Sequence, residues 1–220
     1  SSGEVLLRSV DAVTGSGMMV LSTGATTGGI SGFTYVGTGD ALGGNSGDVV
    51  IGSGDSDARA GDVYVTSGVG AVGAGGEIYM SAGHATAAGG AVGGRFTVES
   101  GDSTAGSSGE VLIRSVDAVS GSGMMVLSTG AATTGDTGRF TLGTGTTASG
   151  RGGDVYVSSG VGSDIGGEIR MSAGASSAGA VGGRFSVESG DSATGSSGEV
   201  LLRSVDAVTG SGMMVLSTGA

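Results

Sequence analysis

The sequence predicts an all-β chain, a parallel β-solenoid of the β-helix or β-roll kind, with about 14 to 15 residues per coil and one main strand per repeat unit. Three observations carry that expectation: a short glycine-led unit recurs along the whole chain, apolar residues alternate within each unit, and charges reverse sign between neighbouring units.

The unit has the form G-x-Φ-x-Φ-x-[STA]-G, with Φ apolar, and its leading glycines are Gly3, Gly17, Gly32, Gly47, Gly61, Gly76, Gly94, Gly109, Gly123, Gly138, Gly153, Gly167, Gly183, Gly198 and Gly212. These fifteen units are spaced by 14 or 15 residues, apart from steps of 18 after Gly76 and 16 after Gly167. A longer repeat encloses them: Ser1 to Gly24 recurs almost unchanged from Ser107 and identically from Ser196. The organisation is therefore one continuous array over residues 1–220, with long repeats at 1–106, 107–195 and, in part, 196–220. The array opens inside a repeat and reads as a piece of a longer repetitive chain.

Counting from the leading glycine, the second and fourth places are apolar in 29 of 30 cases, Thr34 being the exception. Period two is the signature of a strand with one apolar face. The sixth place is always Ser, Thr or Ala, and the seventh is Gly except at Val10, Val116 and Val205. Small residues followed by Gly suit a sharp corner.

The charges favour parallel stacking of successive strands. Arg95 and Glu99 of one unit are followed by Glu110 and Arg114 of the next, so a parallel in-register stack pairs opposite charges, whereas antiparallel pairing sets like against like. Arg184, Glu188, Glu199 and Arg203 repeat the arrangement, which is the expected inter-coil charge ladder. A turn of three units would stack Asp62, Glu110, Asp154 and Glu199, and the long repeats hold seven and then six units, so one unit per coil fits best. Asp48, Asp62 and Glu77 form an acidic run that this stack leaves uncompensated.

Composition excludes several functions. The 52 glycines suggest low complexity, but 37% hydrophobic residues in regular places argue against plain disorder. There is no Cys, hence no disulfide or thiol chemistry, and the redox compartment stays open. The nine cationic residues, all Arg, are dispersed in a chain of net charge -11, so no basic stripe exists for nucleic acid. No apolar run approaches the roughly 18 residues of a membrane helix, so no membrane insertion is expected.

Catalysis is not expected either. His84 is the only histidine and sits in a Gly/Ala-rich loop, without a Cys or a second His, and the many Ser residues have no base to activate them. With no Lys, the glycine clusters do not form a phosphate loop. Calcium is the one candidate ion, through Asp40, Asp55, Asp57, Asp102, Asp136 and Asp191 in Gly/Ser-rich loops, although the nonapeptide calcium-roll pattern is not reproduced. No cofactor is otherwise expected.

The outward third place is apolar in most units and holds all four tyrosines. With apolar first places at Met18, Met124 and Met213, it gives a stripe of Met18, Val20, Tyr35, Val50, Tyr64, Tyr79, Met124, Val126, Tyr156, Met213 and Val215 for lateral packing. Arg170, Ser186, Thr97 and Thr141 interrupt it. The first two units equal the last two and carry no polar cap, which points to end-to-end association as well.

The segments SGDVVIGSG (Ser46 to Gly54) and GDVYVSSG (Gly153 to Gly160) resemble the Gly/Ser/Thr-rich repeats of large secreted or surface proteins of diatoms and related microalgae. That resemblance spans the whole chain and implies an extracellular or cell-surface protein of a coat, mucilage or filament, with no catalytic residues to carry over. Compact β-solenoid antifreeze proteins have a similar coil length, but the outward places here alternate among Arg, Glu, Leu and Tyr where ice binding demands a flat Thr array. The expected function is thus a self-assembling structural protein, with a calcium-, glycan- or ice-binding solenoid as the alternative.

Overall fold

The computed structural model describes residues 3–87, 90–177 and 179–218. Gly219, read as the seventh place of the last unit, and Ala88 and Gly89 of the long loop after His84 lie outside them, as do Ser1 and Ser2 of the first long repeat. The chain falls into two units, Ser1–Leu112 and Ile113–Ala220. In the first, the backbone bends at 13–14, 27–29, 42–44, 57–58, 71–73 and 104–106 and turns at Gly90. In the second it bends at 119–120, 133–135, 148–150, 163–165, 177, 179–180, 193–195 and 208–209 among the described residues. Each bend falls in the loop between one repeat's seventh place and the next leading glycine. The repeats read from the sequence are therefore the repeats of the backbone, with a straight apolar segment between successive bends.

Several loops are closed at the base by a hydrogen bond. The amide of Gly76 donates to the Gly68 carbonyl at 2.9 Å, and the same bond joins Gly94 to Gly83, Gly109 to Gly101, Gly167 to Gly160, Gly183 to Gly174 and Gly198 to Gly190. The sixth-place hydroxyl adds a second tie to the leading glycine's carbonyl. Thr23 donates to Gly32 at 3.0 Å, Ser53 to Gly61 at 2.7 Å, Ser67 to Gly76 at 2.8 Å, Thr144 to Gly153 at 3.1 Å and Ser159 to Gly167 at 2.9 Å. Where the sixth place is Ala82 or Ala173, only the main-chain bond forms.

This clasp explains the two most constant positions of the repeat. A Cβ at any leading glycine from Gly17 to Gly212 would meet the sixth-place side chain of the preceding unit within 4 Å, and at Gly167 it would lie 2.9 Å from the Ser159 Cβ. The fit is tightest at Gly167, Gly61, Gly76 and Gly153, where a Cβ would stand 2.9 to 3.1 Å from the sixth-place side chain. The loop itself is finished by short-range polar bonds, such as the Gly106 and Gly195 amides donating to Ser103 and Ser192 Oγ at 2.8 Å. Its positive-φ bends include Gly150, at φ 103, a region that a Cβ disfavours.

The parallel β-solenoid expected from the sequence does not form. Among the described residues there is no strand and no helix, and the loop-base bonds are the only main-chain pairs. A folded chain of this size makes about 200 internal hydrogen bonds. The clasp supplies the physical reason. Parallel neighbours need a connection that carries the chain back to the start of the previous strand, typically a dozen residues or more. Here the connection returns to the point it left, so each segment starts at the end of its predecessor.

An antiparallel ladder does not follow from the clasp either. Extending the Gly68–Gly76 bond in that sense would set fourth-place Val65 opposite third-place Tyr79 and second-place Val63 opposite fifth-place Ser81. The same register at Gly190–Gly198 sets Phe185 opposite Arg203. Because residues opposite one another share a face, the apolar faces of successive segments would turn to opposite sides. Pairing consequently stops at the glycine.

No core results. No described residue is buried, and only Ser9, Ala85 and Ser100 are half-buried. The accessible surface is 21821 Å². Two folded units sharing this mass would expose about 11,000 Å² together, and a fully extended chain about 30,000 Å².

Candidate functional site

The apolar places are the chain's most regular feature, and their exposure is graded. Second-place side chains are the least exposed, 46% at Ile78 and 45% at Met125, whereas third-place Tyr156 is 88% exposed. All of the expected packing stripe, Met18, Val20, Tyr35, Val50, Tyr64, Tyr79, Met124, Val126, Tyr156, Met213 and Val215, lies open to solvent. Tyr35 lies along its own segment, its hydroxyl 2.8 Å from where a Cβ on Gly37 would stand.

The inter-coil ladder is not assembled. Among the described residues no ion pair joins Arg95 to Glu110, Glu99 to Arg114, Arg184 to Glu199 or Glu188 to Arg203. Arg184 instead approaches Glu188 of its own segment at 3.9 Å, and Arg8 approaches Asp11 at 4.0 Å. The ladder presupposed parallel neighbours, and the clasp removes them.

One polar constellation was not read from the sequence. Arg59 Nη2 donates to both carboxylate oxygens of Asp62, at 2.9 and 3.0 Å, and Tyr64 Oη donates to Asp62 Oδ2 at 3.1 Å. The second copy places Arg151 Nη2 2.7 Å from Asp154 Oδ1, with Tyr156 Oη donating to Oδ2 at 3.5 Å. The signal was available as R-x-x-D-x-Y at Arg59 and again at Arg151. It also gives Asp62, one member of the acidic run Asp48, Asp62 and Glu77, a countercharge. These pairs are solvent-exposed and each contributes about 0 to 1 kcal/mol.

Among the described residues no group of three or more His, Asp or Glu side chains is placed to hold a metal ion; Asp55 and Asp57 share one loop, and Asp40, Asp102, Asp136 and Asp191 lie in four others. No helix among them is long and apolar enough to cross a membrane. Comparison with protein families, curated proteins and solved structures returns no match for the chain.

Proposed function

We propose that this chain is a structural repeat protein that contributes to an extracellular filament, fibre or matrix by associating with further chains through its exposed apolar segments. One observation supports this reading above the others. Valine, leucine, isoleucine, methionine and phenylalanine recur at fixed places through fifteen units, yet the lone chain covers none of them. Contiguous exposed apolar surface marks a place of association. Clasped loops hold the spacing of the segments, and the segments supply the adhesive surface.

The test is sedimentation velocity over a wide range of chain concentration, with negative-stain microscopy of the fastest species. Concentration-dependent growth to extended assemblies, unchanged by a calcium chelator, is expected. A single slow species at every concentration would contradict the proposal, and assembly that disappears in chelator would favour the calcium-binding alternative.

A further inference from the structure

We propose that the partner of the charged segments is a second copy of this chain, taken up antiparallel, like segment against like. This rests on the self-association reading and adds its register. Glu199-Val200-Leu201-Leu202-Arg203 carries opposite charges at its two ends around an apolar triplet. Two copies laid antiparallel about Leu201 place each glutamate opposite the other copy's arginine and each apolar residue opposite an apolar one, a self-complementary two-fold contact.

The same pattern stands at Glu4 to Arg8 and, in sequence, at Glu110 to Arg114, while Arg95 to Glu99 and Arg184 to Glu188 carry the charges with the signs exchanged and a polar residue, Thr97 or Ser186, at the centre. Each type matches itself. Crossing the two types antiparallel would oppose Glu to Glu and Arg to Arg, so the charges select like for like.

Pairing with the preceding segment is closed by the clasp. At Gly198 it prevents a parallel return, and its antiparallel continuation would set Phe185 against Arg203. The main chain from Glu199 to Arg203 consequently has no main-chain partner among the described residues, which leaves it as an edge for another chain. Its side chains are open as well, with Leu201 66% and Leu202 69% exposed. A stable complex buries roughly 1,600 Å². One five-residue pairing falls short of that, so several segments of the two copies engage together.

Three full-length variants test the register. The first carries Glu4→Arg, Glu110→Arg and Glu199→Arg; the second carries Arg8→Glu, Arg114→Glu and Arg203→Glu; the third carries all six. Each of the first two opposes like charges and is expected to associate about tenfold more weakly than wild type in sedimentation. An equimolar mixture of them restores opposite charges and is expected to recover wild-type association, as is the third variant, which keeps the net charge of -11.

Net charge alone makes the opposite demand of the first variant, because adding arginines to an acidic chain reduces repulsion between copies. If that variant associates as tightly as wild type or more so, or if the six-fold exchange loses association, the register is overturned while self-association stands. A wild-type chain that stays monomeric overturns both.

Discussion

At the scale of single residues, the repeat is governed by a contact between two small groups. Ser159 and Gly167 meet so closely that the glycine has no room for a side chain, and the serine hydroxyl satisfies the glycine carbonyl. Ser159→Ala keeps the fit, as Ala82 and Ala173 do naturally, and removes one exposed hydrogen bond worth about 0.5 to 1 kcal/mol. Amide exchange at Gly167 is expected to accelerate a few-fold in that variant. Gly167→Val forces the clasp apart and is expected to abolish protection there; protection surviving the valine would show that the clasp is not closed by this contact. The constancy of both positions was visible in the sequence, where the sixth place and the glycine directly after it were read as a corner. That they touch each other across the loop was not, because a pattern records what each place tolerates and is silent on its neighbour.

At the scale of the element, two parts behave differently. The loops carry one bend each and local polar ties such as the Gly106 amide to Ser103 Oγ, whereas the segments between them make no main-chain pairs among the described residues. Parity is the cause: an odd register between the seventh place and the next leading glycine turns alternate apolar faces apart. Deleting Thr66 and its counterpart Ser158 shifts that register by one residue, so that Val63 would oppose Met80 and Val65 would oppose Ile78. The doubly deleted chain is expected to gain β-sheet signal in far-UV circular dichroism at a concentration where wild type shows little. An unchanged spectrum would remove parity as the reason that the ladder stops. Alternation in the sequence did identify which residues share a face. It did not say which segment would cover that face, and the charge argument, which favours a parallel neighbour, carries no information about the path of the loop.

At the scale of the whole molecule, the glycine-led repeat and its uneven steps were legible in the sequence, and the fold class was not. Parallel stacking and clasped loops begin from the same residues, namely glycines, small hydroxyl residues and alternating apolar places. They are separated by whether a loop of some eight residues travels or closes, a choice made by the Ser67–Gly76 type of contact. With loops closed, the apolar surface of the described residues stays outside, and the association proposed above is what would bury it.

Hydrogen exchange followed along a dilution series tests this most directly, because it reads loop bases and segments separately in the same wild-type chain. The amides of Gly76, Gly109 and Gly167 are expected to keep the same modest protection at every concentration, while those of Val63 to Val65 and Val200 to Leu202 exchange freely when dilute and become protected as the chain is concentrated. Strong protection of the segment amides that persists on dilution would mean that the chain pairs them within itself, and would contradict the account.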